Sequence, residues 1–137
     1  MLGRITYEGF AAAWPTIEDE AGFADKMNSM PKYVVSTTLS DATWNNSTVI
    51  KNDVAAQVSK LKDQYSGDIL IAGSGQLVRS LMADGLIDEY RLMVFPVVLG
   101  AGRHLFDDVG QKTTMKLIDS KTVGPDGITV LTYAPAG

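Results

Sequence analysis

The sequence contains no cysteine and a single histidine. The first absence excludes a disulfide framework, a thiolate zinc site and a cysteine nucleophile, and leans toward a reducing compartment. With one imidazole, metal sites that need two are excluded as well, and no metal site is expected. A serine-type triad would have to use His104, and no Gly-x-Ser-x-Gly elbow exists, because Leu77 stands where the second glycine after Ser74 belongs. Positive charge is also in short supply: 12 Lys plus Arg against 16 Asp plus Glu leave a net charge of −4. That balance removes the long-range attraction on which nucleic-acid and anionic-membrane binders rely, although a local basic pocket for a phosphate stays open. No apolar run approaches the roughly 18 residues of a membrane span, and Met1-Leu2-Gly3-Arg4 opens no secretory signal, so the expected location is the cytoplasm. Internal repeats and low-complexity linkers are absent too.

What is present suits one folded domain. The 137 residues are 45% apolar and 20% charged, enough for a core that removes roughly two-thirds of the unfolded surface from water. Met1 and Leu2 read like the last residues of an apolar strand, because Gly3 and Thr6 already supply strand-exit and helix-start chemistry. The expectation is a single domain, residues 1–137, truncated at its N-terminus.

Periodicity then lays out the chain. Thr6 is the expected N-cap of a helix with Tyr7, Phe10 and Ala11 on one face, stopping before Pro15. The acidic run Glu18-Asp19-Glu20 suits the start of a second helix carrying Phe23, Met27 and Met30 up to Pro31. Lys32–Thr37 and Ser47–Lys51 read as strands. Asn52 or Asp53 is placed to cap a helix with the stripe Val54, Val58, Leu61 and Tyr65, ending at Gly67. Asp68–Ala72 reads as a short buried strand, Leu77, Val78, Leu81 and Met82 as a helix ended by Gly85, and Glu89–Leu99 as a central strand bent at Pro96. Lys116–Val123 and Ile128–Ala134 form a hairpin across Gly124-Pro125-Asp126-Gly127. This order describes an α/β sheet flanked by helices, with an antiparallel edge.

Three segments carry candidate chemistry. In Gly73-Ser74-Gly75-Gln76-Leu77-Val78 a strand runs through a Gly-x-Gly turn into a helix, so backbone N–H groups can approach a phosphate or pyrophosphate with the helix dipole behind them. Val78 replaces the third glycine of a dinucleotide fingerprint, and a tight turn needing positive φ explains the glycines equally well. Arg4, unfavourable at a helix start, makes sense beside Gly3 and Thr6 if an anion lies between its guanidinium and the exposed N–H groups; simple solvation is the alternative. Ser36, Thr37 and Thr38 bring hydroxyls to the end of a strand, where open α/β sheets hold ligands; a hydroxyl-rich turn accounts for them too. His104 reads as a loop residue, Asp107 and Asp108 as solvated, and Trp14 and Trp44 as buried.

Taken in order, Gly3-Arg4-x-Thr6-Tyr7-Glu8, Met30-Pro31-Lys32-Tyr33-Val34-Val35-Ser36-x-Thr38-Leu39, Trp44-Asn45-Asn46, Gly73-Ser74-Gly75-x-Leu77-Val78, Leu86-Ile87-Asp88-Glu89-Tyr90-Arg91-Leu92 and Pro96-Val97-Val98-Leu99-Gly100-x-Gly102 form a set. The chain resembles the dihydrofolate reductase-like family, in the branch of the riboflavin-biosynthesis reductase (RibD C-terminal) domain. The resemblance implies a mixed, largely parallel sheet flanked by helices, with NADPH across the strand ends. By that resemblance Gly3, Arg4 and Thr6 would hold cofactor phosphates, and Ser36, Thr37 and Thr38 would face the adenosine ribose and its 2′-phosphate. Gly73, Ser74, Gly75, Gln76, Leu77 and Val78 would cradle the pyrophosphate, and Pro96–Gly102 would border the nicotinamide or substrate. Relatives often carry Arg or Lys where this chain has Thr37, which leaves NADH as a second cofactor. They also carry a strand, a substrate-facing loop and a helix before the Gly-Arg-x-Thr motif, so no catalytic residue is assigned here.

Two readings of function follow. One is a reductase transferring hydride from NAD(P)H to a pterin-like, pyrimidine-like or other small heterocycle. The other is a non-catalytic nucleotide-binding or structural fragment whose sheet is completed by oligomerisation. An open sheet edge with apolar strands also favours a homodimer, with neither nucleic acid nor membrane as partner.

Overall fold

The computed structural model describes residues 1–106 and 110–137. The chain divides into two compact units, residues 1–84 and residues 85–137. The first contains β1 (Leu2–Gly3), α1 (Arg4–Ala13), a 3-10 turn (Trp14–Thr16), α2 (Phe23–Ser29), β2 (Lys32–Val35), β3 (Ser47–Ile50), α3 (Val54–Gln64) and α4 (Gly75–Ala83). Its sheet is parallel in the order β1-β2-β3, with Leu2 opposite Val34, Gly3 opposite Val35 and Lys32 through Val35 opposite Ser47 through Ile50.

The core explains why the sequence folds this way. Leu2, Tyr7, Met27, Val34 and Trp44 form one buried cluster, with Phe10, Ala11, Trp14, Met30 and Ala72 packed against it. Val34 is wholly inaccessible, as a residue in the middle strand of a covered sheet must be. The cluster includes polar groups, and each is matched. Tyr7 accepts a hydrogen bond from the Trp44 backbone N–H (2.9 Å), and the Trp44 indole donates to Asn28 Oδ1 (2.8 Å). The Asp19 carboxylate accepts the Phe23 and Ala24 N–H groups, each at 3.0 Å, so the acidic stretch stabilises the start of α2 as its charge suggests. Pro15 lies in the first positions of the 3-10 turn that follows the end of α1 at Ala13.

Lys32 is the buried cation of this unit. Its ammonium donates to the carbonyls of Met27, Asn28 and Met30 at 2.9–3.0 Å and lies 4.3 Å above the Trp44 ring. Burial pushes its pKa down. The Met27 and Met30 carbonyls are acceptors that the end of α2 would otherwise leave unmatched, and the Asn28 carbonyl is shared with the Asn45 amide, so this lysine ties helix, strand and indole together.

The second unit is an antiparallel sheet in the order β4-β6-β5, from β4 (Tyr90–Val94), β5 (Met115–Val123) and β6 (Ile128–Pro135). The hairpin forms as its turn chemistry predicts, with Gly124 and Gly127 at φ +72° and +74° and a register irregularity between Leu117 and Asp119. Tyr90 is buried, edge-on to Phe106, and burial raises its pKa.

The α/β class stands, with the parallel strands in one sheet and the antiparallel strands in another, and local expectations need correction. Thr6 is not an N-cap: α1 begins at Arg4 with Gly3 in that position, because the pairing of Gly3 with Val35 ends the strand directly before the helix. Asp53 sits at the N-cap of α3 but at φ +48° with no side-chain capping bond, so its carboxylate does not cap the helix, and Asn52, which precedes that position, takes the Gln57 amide on its backbone carbonyl. Asp68–Ala72 forms no strand, and Leu70 is 62% exposed. The Leu70 carbonyl takes the Met1 amine and Ala72 packs on the core cluster that contains Leu2, but no ladder forms, because β1 is only two residues long. Glu89–Leu99 is not a central strand either. The ladder covers Tyr90–Val94 at the sheet edge, because β6 lies between β4 and β5, and beyond it Val97 N–H turns back onto the Phe95 carbonyl across Pro96. Asp107 and Asp108 lie outside the described residues.

Replacing Lys32 by Met keeps the apolar stem but strands the Met27 and Met30 carbonyls. The expected outcome is a loss of about 3 kcal/mol in unfolding free energy, the scale of hydrogen bonds to a charged group, measured by urea denaturation; a loss below about 0.5 kcal/mol, the level of ordinary surface changes, would remove Lys32 from this role.

Candidate functional site

The parallel strands of the first unit all end on one side, and the three segments singled out in the sequence leave from there. Gly3 closes β1 and starts α1, and it stands opposite Val35, the last residue of β2, so Ser36 leaves the sheet beside it. The third segment is joined to the first directly: the Gly3 N–H donates to Ser74 Oγ at 2.9 Å, and a Cβ placed on Gly73 would lie 3.5 Å from Thr6 Oγ1. Gly3, Thr6, Gly73 and Ser74 are thus one cluster, at the carboxyl edge where open α/β sheets hold ligands.

Backbone conformation shapes this cluster. Gly73 has φ +55° and Ser74 φ +57°, two successive positive-φ residues before α4. A serine at an N-cap ordinarily turns its oxygen onto the first turn of its own helix. Here Ser74 makes no such bond, and its hydroxyl instead donates to the Ala72 carbonyl at 3.0 Å while accepting from Gly3. Neither α1 nor α4 has a side-chain cap or an acidic residue in its first turn. Both helix starts therefore present backbone N–H groups and partial positive charge that no carboxylate of their own neutralises.

The remaining candidates fall into place less uniformly. Arg4 bonds both carboxylate oxygens of Glu8, at 3.0 and 3.2 Å, so its position at a helix start is offset by an (i, i+4) pair. That partner was legible in the spacing and was missed. Ser36 Oγ accepts from the N–H groups of Thr38 (3.2 Å) and Leu39 (3.0 Å). It organises its own turn, which leaves Thr37 and Thr38 exposed. Leu77 is buried in the body of the unit and offers a ligand only backbone, while Gln76 is exposed and Val78 bonds back to the Ser74 carbonyl at 2.9 Å. Burial holds the Met1 amine, bonded to Leu70, down to about 6.

A separate cavity of about 460 Å³ is lined by Ala11, Pro15, Asn28, Thr43, Trp44 and Asn45. Sequence reasoning did not locate it, and its amides are already engaged: Asn28 bonds Trp14 and Trp44, and Asn45 bonds the Asn28 carbonyl. Tyr33 and Tyr65 share a 2.8 Å hydroxyl bond that, with burial, raises the Tyr33 pKa. Among the described residues no group of three His, Asp or Glu could hold a metal, and no helix is long and apolar enough to cross a membrane.

Comparison with known proteins gives the family of the chain. The family model of the RibD C-terminal domain matches residues 1–129. Two Bacillus subtilis proteins are each 32% identical: the uncharacterized protein YyaP over 136 residues, 97% of this chain and 71% of that protein, and the uncharacterized protein YwjB over 124 residues, 90% and 67% respectively. In fold, the chain is similar to a putative riboflavin biosynthesis protein from Shewanella sp. PV-4, with a TM-score of 0.78 at 22% identity over 99% of this chain and 72% of that one. It is also similar to Acinetobacter baumannii RibD, with a TM-score of 0.64 at 18% identity over 98% of this chain and 46% of that one. The family match and the fold likeness agree: the chain belongs to the RibD C-terminal domain family and has its riboflavin-biosynthesis reductase-like fold.

Proposed function

We propose that this chain binds NADPH and acts as a reductase, with hydride passing to a pterin-like, pyrimidine-like or related small heterocycle. The observation that carries the reading is the junction of two uncapped helix starts through Gly3 and Ser74 at the carboxyl edge of the parallel strands. A diphosphate suits it: two adjacent sets of backbone N–H groups meet two adjacent phosphates, and Gly73, at φ +55° without a side chain, leaves the approach open. The nicotinamide supplies the hydride when bound, and the protein positions it and excludes water.

The chain's own residues divide that work. Backbone N–H groups of Arg4–Thr6 and of Ser74–Gln76 hold the phosphates, with Arg4 adding charge from within its pair with Glu8. Thr37 and Thr38, held outward by the Ser36 turn, face the adenosine ribose. Thr37 is neutral, so the same site accepts NADH. Glu8, on the second turn of α1, is committed to Arg4; no proton donor is assigned. That commitment favours a second reading, a nucleotide-binding module without turnover, separated from the first by assaying NADPH oxidation with heterocyclic acceptors.

We further propose that the chain is a homodimer. Strand β4 is a sheet edge, and beside it Met93, Val94, Phe95, Val97, Val98 and Leu99 are exposed, Val98 by 96% and Leu99 by 80%. Such an edge recruits another chain, and a two-fold pair is the commonest closed solution.

Three outcomes test these assignments. Gly73→Val is expected to abolish NADPH binding in calorimetric titration while lowering stability by about 1–2 kcal/mol, the cost of a side chain at positive φ; unchanged affinity would remove the loop from the site. Thr37→Arg is expected to raise the NADPH-over-NADH preference about tenfold through a charge-assisted bond to the 2′-phosphate, read as the ratio of the two dissociation constants. Light scattering is expected to show a dimer that Val94→Asp converts to monomer, and a wild-type monomer at tens of micromolar, where weak dimers still populate, would contradict the assembly.

A further inference from the structure

We propose that Ser74 is a positioning residue that clasps the two helix starts at the spacing a diphosphate needs. This rests on the nucleotide-site reading above and deepens it. Ser74 stands at the N-cap of α4 and Gly3 at the N-cap of α1, 71 residues apart in sequence, and one hydroxyl joins them. The hydroxyl has one proton, and it goes to the Ala72 carbonyl at 3.0 Å, so the oxygen is left as the acceptor for the Gly3 N–H at 2.9 Å. Both bonds lock the side chain away from the first turn of α4, whose N–H groups receive no capping oxygen.

The backbone torsion is part of the same device. At φ +57° and ψ +48° Ser74 occupies the left-handed region, which a non-glycine residue enters at a cost. Glycine would be easier there and would make no clasp. The hydroxyl offsets that cost by bonding the two helix starts directly, whereas the parallel pairing of Gly3 is with Val35 on its other side. Without the clasp α1 keeps its link to β2 and the packing of Ala72 and Gly73 beside it, but the hydrogen bond that fixes the distance between the two starts is gone. A ligand phosphate held by one helix start alone is indifferent to that distance. A diphosphate spanning both is not.

The torsion supplies a control that separates clasp from strain. Ser74→Ala removes the hydroxyl and keeps the left-handed penalty, whereas Ser74→Gly removes both. If the clasp positions the site, each variant raises the NADPH dissociation constant about tenfold in calorimetric titration, while that of inorganic phosphate, which needs one helix start only, changes less than twofold. Ser74→Gly retains wild-type thermal stability or exceeds it, so the affinity loss is not a loss of folding. If either variant fails to fold, amide resonances of wild-type protein decide: on titration with NADPH, Arg4–Thr6 and Gly75–Leu77 must shift together along one saturation curve. Unaltered NADPH affinity in a folded variant, or movement of only one of the two helix starts, overturns the clasp while leaving a nucleotide site in place. Failure of wild-type protein to bind NADPH or NADH overturns the site reading and the clasp with it.

Discussion

Two residues of parallel pairing, Leu2 against Val34 and Gly3 against Val35, set the geometry on which the first unit depends. Because the pairing ends at Gly3, α1 has to begin at Arg4, and because Val35 lies opposite, the hydroxyl turn at Ser36 leaves the sheet at the same level. The Ser74 hydroxyl then fastens the start of α4 to that edge. Burial of Leu2, Val34, Tyr7 and Trp44 on one another holds the pairing in place. A slip of one residue would turn Leu2 away from the core and carry every helix start out of alignment.

The polar groups under this edge are arranged so that the edge stays rigid without consuming its N–H groups. Lys32 satisfies the carbonyls that close α2, Tyr7 accepts from Trp44, and Asn28 bridges the indole and Trp14. These bonds lie within the body of the unit. The first turns of α1 and α4, in contrast, carry no side-chain cap. Buried polar groups are costly when unmatched, whereas helix-start N–H groups at a surface are matched by water until an anion replaces it. Rigid support beneath and exchangeable donors above suit a site that binds a phosphate reversibly.

Much of this was legible in residue spacing. The stripe of Val54, Val58 and Leu61, the hairpin glycines and the Gly-x-Gly turn into α4 appear where periodicity and turn chemistry place them. What escaped has a common cause, dependence on a partner distant in sequence. Thr6 has good capping chemistry, yet Gly3 occupies that position because Val35 pairs with it. Asp68–Ala72 has a strand's composition, but a strand exists only against a partner, and β1 offers two residues. Glu89–Leu99 is apolar enough for a sheet centre, and β6 takes that place instead. Ser74 has the right chemistry for a cap and uses it on Gly3, which no local rule indicates. The pairing of Arg4 with Glu8 is different, since its (i, i+4) spacing was visible while the guanidinium was read only as facing an anion or solvent.

The central claim is that the edge joining Gly3 to Ser74 holds the diphosphate of a nicotinamide dinucleotide. A crystal structure of this chain grown with NADPH tests it most directly. The account predicts phosphate oxygens within hydrogen-bonding distance, about 2.7–3.2 Å, of backbone nitrogens at both helix starts, Arg4–Thr6 and Ser74–Gln76, with the Gly3–Ser74 bond intact. A dinucleotide bound elsewhere, or one whose diphosphate touches neither helix start, would contradict it.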